Sequence, residues 1–478
     1  MTSTRRSTSE PLPPPADRSW WLEEALALPA FAGEPCPPLR GDTTADAVIV
    51  GGGYTGLWSA WFLTEREPGI DVVVLEQDIC GGGPSGRNGG FVNGFYDEAE
   101  LLIERFGGEG RRAVEMAARS IDELGTWCEA NGVDAWYAPT GNLGVSTSRA
   151  QDAIAAEVLA AAERSGYGHV YGPLDTAEVR ERFGSPVART GVLVRHAAEV
   201  HPARLALGLR RVLLERGVRI FEGTPVSRFR VAPPAMAQTP GGTVRAGHAI
   251  LGLNAWAVAW PTFRRSIVAR GTFIVASAAA PDRLERMRWT GGEGVYDFRT
   301  ALHYLRTTPD GRILFGGGVI RVHPHRIVPR YRYDQRAVAE LTREFRRWFP
   351  AFDGIELERA WGGPVDVSGL HLPFFGTLSG GATHYGLGFT GNGVGPCHLG
   401  GKILSGLALG VEDEATTLPL VRLQPKRFPP EPLLTPAELL VMQAMVRKDR
   451  REDRGRRAGP LTGVLARLPR RAGFNLGP

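Results

Sequence analysis

Six consecutive residues, Gly51-Gly52-Gly53-Tyr54-Thr55-Gly56, have the types and spacing needed to hold a pyrophosphate. They follow the apolar run Ala47 to Val50 and open another, Leu57 to Leu63, which is the strand, turn, helix order of a dinucleotide site. Gly51 allows the sharp turn, Gly53 allows backbone to approach phosphate, and Gly56 allows helix to pack on strand. The N–H groups at the helix N-terminus then face the anion. Val72-Val73-Val74-Leu75 reads as the second strand and ends at Glu76. A carboxylate there accepts hydrogen bonds from a ribose diol and repels a 2'-phosphate, so FAD or NAD is expected over NADP.

Two further glycine-dense stretches carry chemistry. Gly81 to Gly90, containing Ser85-Gly86-Arg87-Asn88-Gly89-Gly90, is too polar and flexible for a core element, so it must be a loop held in place by something else. Thr390-Gly391-Asn392-Gly393-Val394-Gly395 follows a strand expected over 384–389 and precedes a helix running through Lys402 to Leu409. It offers a second helix N-terminus, whose N–H groups and positive dipole end suit a place where negative charge develops.

The elements that must position these loops are legible in outline. Helices are expected over 98–106, 109–131, 150–164 and 333–349, and strands over 192–194, 218–221, 226–231 and 248–252. Between 267 and 315 the pattern is strand-rich, with a Pro309-Asp310-Gly311 turn, and predicts a separate sheet. The first 40 residues read as a proline-rich arm with a short helix around 20–28. Thr435-Pro436-Ala437-Glu438 has the pattern of a helix-starting capping box.

Composition narrows the class. A chain of 478 residues, 43% hydrophobic, has ample material for a large core. The net charge of +5 invites a nucleic-acid reading, but residues 447–478 alone hold ten basic and three acidic residues. The charge therefore belongs to a tail, and no nucleic-acid partner is expected. The four cysteines are scattered without a CxxC pair, so neither a metal site nor a disulfide framework is indicated. No leader and no long apolar run is evident, so no membrane span is expected and the cytoplasm is the expected compartment.

At these residues the chain resembles the D-amino-acid oxidase superfamily of flavoproteins, and within it the γ-glutamylputrescine oxidoreductase type. The matching segments are Val48 to Leu57, Ser85 to Gly90, Trp361-Gly362 with Asp366, and Gly388 to Val394, and the resemblance spans roughly 40–410. It implies FAD, an amine or amino-acid substrate, and a mixed α/β (α+β) fold in which a Rossmann-like FAD-binding domain is interleaved with an antiparallel-sheet substrate domain. The expected division is an arm at 1–40, an FAD-binding domain from 41–100, 185–260 and 360–415, a substrate domain from 101–184 and 261–359, and an extension from 416. The expected FAD contacts are Gly51, Gly53, Tyr54, Thr55, Gly56, Glu76, Ser85, Arg87, Asn88, Gly89, Gly90, Val226, Gly391, Asn392, Gly393 and Val394. Glycines in the 85–90 loop are expected because side chains there would collide with the isoalloxazine.

The implied reaction takes a hydride equivalent from the carbon bearing the nitrogen, giving an imine that hydrolyses to an aldehyde or keto acid. His303, Tyr304, Arg306 and Trp361 are the candidate reaction-side residues. Strand alternation puts Tyr304 and Arg306 on one face and His303 on the other, without saying which face meets the flavin. The electron acceptor is oxygen or another oxidant. Some relatives activate oxygen with a lysine, yet only three lysines occur here, none before Lys402, so slow reaction with oxygen is expected unless Arg312 or His303 substitutes. Relatives that link flavin covalently use a histidine where this chain has Phe91, or a cysteine in the strand of Trp361, so FAD is expected to be non-covalent. Competing readings are an NAD-dependent dehydrogenase, which has no use for the 85–90 and 390–395 loops, a flavin monooxygenase, and a redox-silent FAD-binding scaffold. The purified protein is expected to be yellow, and acid precipitation is expected to leave its flavin in the supernatant; a colourless protein that refuses added flavin overturns this reading.

Overall fold

The computed structural model describes residues 12–323, 325–471 and 474. Two sheets organise the chain. The first is built around four buried residues, Ala47 to Val50, at the end of strand Thr43–Val50. Strand Val72–Leu75 pairs with it in parallel, Val50 opposite Leu75. Strands covered on both faces read as continuous apolar runs, and Val72–Leu75 is buried throughout. The strand order is Phe374–Thr377, Thr383–Leu387, Gly242–Leu251, Thr43–Val50, Val72–Leu75, Arg219–Phe221, with strands Arg228–Arg230 and Ala235–Thr239 branching from Gly242–Leu251. The register sets Gly51 beside the end of the neighbouring strand, where its N–H donates to the Leu75 carbonyl at 2.9 Å.

The second sheet has nine strands, mostly antiparallel, in the path Arg321–Val322, Ile267–Ser277, Ile313–Gly317, His303–Thr307, Gly294–Asp297, Asn142–Val145, Gly191–Val194, Tyr171–Leu174. Leu357–Ser368 adds to the other side of Ile267–Ser277. One face carries Leu143, Val145, Val295, Leu305, Ile313 and Phe315 into a core closed by helix Gln335–Trp348. The opposite face joins the core of the first sheet through Val192, Val194, Ile274 and Leu314. Sheet membership departs from the expected division in two places. Gly191–Val194 belongs to the second sheet, between Asn142–Val145 and Tyr171–Leu174, and Leu357–Ser368 also lies there. Long-range pairing partners, which local pattern does not encode, decide both.

The amino-terminal arm is tied down rather than loosely laid on the body. Its helix Trp20–Leu26 buries Trp21, Leu22 and Ala25 completely. Ser19 caps that helix by accepting from the Leu22 N–H, and its hydroxyl donates to the Gly86 carbonyl at 2.5 Å. Residues 1–11 of the proline-rich stretch lie outside the described residues. At the other end, helix Leu434–Glu452 starts without the expected capping box. Thr435 instead bonds Glu431, and Glu438 forms a buried pair with Arg270 at 2.9 Å. Tertiary pairing of a buried carboxylate outweighs a local cap, because an unpaired charge there would cost several kcal/mol (~3–5). Residues 472, 473 and 475–478 of the basic tail lie outside the described residues.

Three buried histidines each contribute stability that acid removes. Burial depresses His384 to about 4, helped by His248, and His398 to about 3, helped by Lys402. His201 falls to about 4, burial again leading and Glu24 opposing it. Each takes up its proton more readily when unfolded, near 6.5, so its contribution is complete above that pH and is lost as pH falls from 6.5 towards 4. For His384 the loss is on the order of 3 kcal/mol. As pH falls from 6.5 to 4, the unfolding temperature of His384→Gln is expected to rise relative to that of the unsubstituted protein; a difference between the two that does not change with pH contradicts the argument.

Candidate functional site

The nucleotide turn is enforced by close contact. Gly51 has φ +112°, and a Cβ there would lie 2.5 Å from the Gly252 carbonyl oxygen. A Cβ on Gly56 would lie 2.0 Å from the Gly51 oxygen and 3.0 Å from Ile49, so helix Tyr54–Arg66 comes this close to the strand only over glycine. The Glu76 carboxylate accepts from the Gly52 N–H at 2.7 Å and from the Asp78 N–H at 2.9 Å. Burial is the largest influence on it and raises its pKa, while those N–H groups pull it back. The Thr224 N–H donates to the Glu76 carbonyl, which lays the segment leading to Val226 alongside. Tyr54 and Thr55 turn their side chains into the protein, Tyr54 to the Pro202 carbonyl at 2.8 Å and Thr55 to the Cys397 sulfur at 3.2 Å. Neither side chain is available to a phosphate.

The second glycine loop leads into helix Val394–Leu409, whose N-cap, Gly393, provides no side-chain cap. Gly53 at the start of Tyr54–Arg66 provides none either, although Ser85 Oγ accepts from the Tyr54 N–H at 2.9 Å. The two helices run side by side in the same direction. Thr55 meets Cys397, and a Cβ on Gly401 would lie 2.6 Å from Trp58 Cβ. Both positive ends therefore reach the same edge of the first sheet. Asp366, fully buried, holds the loop before the second helix, accepting from the Gly388 N–H at 2.5 Å and from Asn254 at 3.0 Å. Burial pushes its carboxyl up to about 7 against those donors. Gly391 has φ +86° and open space where a side chain would stand, and Asn392 donates to the Gly94 carbonyl at 3.5 Å.

In the 85–90 loop the polar side chains are already used. Arg87 is buried and donates to the carbonyls of Gly82 (2.9 Å), Gly362 (3.3 Å) and Asp17 (2.6 Å). Asn88 bonds Pro84, Ser85 and the Gly90 N–H, folding the loop on itself. The loop's carbonyls are fixed from outside, Asn88 by Trp21 Nε1 at 2.9 Å and Arg87 by Trp361 Nε1 at 3.0 Å. Its glycines are required by the protein itself. A Cβ on Gly89 would meet the Tyr304 ring at 2.9 Å, and one on Gly90, where φ is +86°, would lie 2.3 Å from the Val200 carbonyl.

The second sheet settles which face meets this loop. Tyr304 is partly accessible, with its hydroxyl 3.3 Å from Thr272 Oγ1, and Tyr296 lies opposite it on the next strand. Each ring lies over a glycine of a neighbouring strand, Tyr304 over Gly316 and Tyr296 over Gly144, where a Cβ would be 2.5 and 3.1 Å away. Burial lifts the Tyr304 hydroxyl to about 12, so it remains protonated at neutral pH.

The other three reaction-side candidates do not line this space. His303 points into the opposite core, 1% exposed, and bonds Asp297 at 2.8 Å between Phe315 and Trp348. Arg306 shares the face of Tyr304 but is sealed, donating to the Val200 carbonyl at 2.5 Å and pairing with Glu199 at 3.1 Å. Trp361 is fully buried behind Arg87. Neither oxygen-side substitute is free for that role, because Arg312 pairs with Asp310 and Glu358 and His303 is buried against Asp297.

A family model, DAO, described as FAD dependent oxidoreductase, matches residues 46–407. The chain belongs to the DAO family. It is 30% identical to a probable oxidoreductase OrdL of Rhizobium meliloti, over 84% of this chain and 90% of that protein. It is also 30% identical to gamma-glutamylputrescine oxidoreductase of Escherichia coli, over 79% and 86%. Glycine oxidase from Geobacillus kaustophilus shares the fold, with TM-score 0.67 and 19% identity over 80% of this chain and 99% of that one. L-proline dehydrogenase from P. horikoshii superposes with TM-score 0.63 and 20% identity, covering 80% of this chain and 96% of its own.

The chain is thus an FAD-dependent oxidoreductase, and its residues fit the cofactor. Glu76 and the glycine turn suit the adenosine half, and the two uncapped helix ends suit the pyrophosphate and the electron-accepting edge of the ring. None of the arm's contacts with the 85–90 loop is legible in sequence, because Ser19 and Trp21 are each 67 residues from their partners and match no motif. In this DAO-family protein Trp21→Phe removes the donor to the Asn88 carbonyl while keeping an aromatic ring. The dissociation constant for FAD, titrated by flavin fluorescence, is expected to rise roughly 5- to 10-fold, the equivalent of one partly buried carbonyl left without its donor; an unchanged constant shows that the arm does not brace the site.

Proposed function

We propose that this DAO-family enzyme oxidises the C–N bond of a small primary or secondary amine, giving an imine that hydrolyses to an aldehyde. The observation that supports this best is the wall opposite the 88–93 segment, where the accessible groups are the Tyr304 and Tyr296 hydroxyls and Thr272. FAD, when bound, supplies the acceptor for the hydride equivalent at N5 of its ring. The end of helix Val394–Leu409 offers uncompensated N–H groups and dipole to the negative charge that reduction creates. Tyr304, protonated across the working range, orients the substrate nitrogen by hydrogen bonding and takes no proton from it. The amine must therefore bind with its lone pair free, and water near the reacting carbon must be few.

An amine is favoured over an α-amino acid because Arg306, the expected carboxylate contact, is sealed against Glu199 and Val200. The relative named gamma-glutamylputrescine oxidoreductase is compatible with this reading. Phe91 in place of a histidine, and Cys397 turned towards Thr55, support a non-covalent flavin. With Lys402 and Arg312 engaged elsewhere, the physiological acceptor is proposed to be something other than oxygen. Under anaerobic conditions an alkylamine is expected to bleach the bound flavin at least about tenfold faster than the α-amino acid of the same chain length. The rate should rise with pH through the substrate's own amine pKa, and the reduced enzyme should reoxidise slowly in air. Equal bleaching by both substrates overturns the preference, and no bleaching by any amine overturns the proposed reaction.

A further inference from the structure

Most of the exposed apolar surface of the chain lies on its carboxy-terminal helices, and the reaction makes no use of it. Among the described residues eight large apolar side chains stand exposed, and six of them are Leu433, Leu439, Leu440, Leu461, Val464 and Leu468, with exposures from 42% to 73%. Leu433 adjoins the start of helix Leu434–Glu452, which carries Leu439 and Leu440; the other three lie on helix Pro460–Arg471. In the second helix the spacing 461, 464, 468 is i, i+3, i+7, which sets the three side chains along one stripe. The opposite side of that helix is held to the body. There Ala466 packs with Val441, Met442 and Met445 of the first helix and with Val322 of the second sheet, and Pro469 is buried. Both helices thus use one side for this apolar contact and turn leucines away from it.

Charge decides what can cover that outer face. The three acidic residues after Arg447 are all engaged within the protein. Asp449 is buried and accepts from the Ala301 N–H at 3.1 Å, Asp453 pairs with Arg299, and Glu452 pairs with Lys448 at 2.8 Å. Arg447, Arg451, Arg454, Arg456, Arg457 and Arg467 are exposed, and none has an ion-pair partner among the described residues. Leucines flanked by uncompensated arginines match a surface that is apolar at depth and negative at its rim, which describes an anionic lipid leaflet. A second copy of the same face would instead set these arginines against one another.

We propose that the outer face of helices Leu434–Glu452 and Pro460–Arg471 docks on an anionic lipid surface, the leucines entering the acyl boundary and the arginines meeting headgroup phosphates. The helices lie on the leaflet; no helix among the described residues is long and apolar enough to cross it. This docking is independent of which substrate the enzyme oxidises.

The test is co-sedimentation of the full-length, FAD-loaded protein with lipid vesicles. It is expected to pellet with vesicles of phosphatidylglycerol and phosphatidylcholine in equal parts, and to bind phosphatidylcholine alone about tenfold or more weakly. Raising NaCl from about 0.1 M to about 0.5 M should lower the partition onto anionic vesicles about fivefold or more, because the arginine contribution is screened. Leu461→Ser, Val464→Ser and Leu468→Ser combined should weaken binding about tenfold or more. Arg454→Gln, Arg456→Gln and Arg457→Gln combined should do the same and remove most of the salt dependence. All six side chains are exposed, and unchanged flavin content and unfolding temperature report an intact fold. Failure of the unsubstituted protein to bind anionic vesicles, or equal binding by it and both variants, overturns the proposal. Sedimentation velocity covers the other occupant: a dimer that the serine variant dissociates, with no vesicle binding, assigns the face to a second copy and overturns lipid docking.

Discussion

The structure depends on two helices packed in parallel at close range. Tyr54–Arg66 and Val394–Leu409 come from opposite ends of the sequence, and they approach so closely because Gly401 faces Trp58 backbone and Thr55 faces Cys397. Parallel helices repel through their dipoles unless their ends meet compensating charge, so two uncapped N-termini at one sheet edge are unfavourable until an anion occupies that edge. FAD provides a pyrophosphate and, on reduction, a negative ring. An anion bound at that edge would relieve this electrostatic deficit.

The 85–90 loop shows how a mobile-looking sequence becomes rigid. Its polar side chains do not reach outward to a ligand; Arg87 and Asn88 saturate carbonyls of the loop itself and of distant segments. Trp21 from the arm and Trp361 from the second sheet then donate to the loop's own carbonyls. Each of these bonds contributes modestly, about 1 kcal/mol, and those of Arg87 to Gly82 and Gly362 and of Trp361 to Arg87 are buried, so breaking one of them leaves an unsatisfied group. What the loop can offer a flavin is backbone held in a fixed shape, which is the form of preorganisation that costs least at the moment of reaction.

The second sheet divides labour between its faces. One face is a dry aromatic core that absorbs His303 with its partner Asp297. The other pairs tyrosine with glycine across strands, so that Tyr304 and Tyr296 lie along the sheet and leave volume above them. Arg306 and Trp361 also project from this second face, but the arm and the 85–90 loop cover them. They support the site from behind.

Much of the nucleotide end was legible in the residues alone. Gly51, Gly56 and Glu76 follow from local rules, since a turn with positive φ, a helix crossing a strand and a carboxylate at a strand end depend on residues adjacent in sequence. The second helix N-terminus after Gly393 and the existence of a strand-rich insert were legible for the same reason. Period-2 alternation also fixed that Tyr304 and Arg306 share a face while His303 does not. Which face looks inward, and that Arg306 and Trp361 are sealed, depended on contacts more than 100 residues apart, with Val200 and Glu199 for the first and Arg87 for the second. The burying of Glu438 against Arg270 was decided in the same way, because desolvation and charge pairing are properties of the packed molecule and have no local signature.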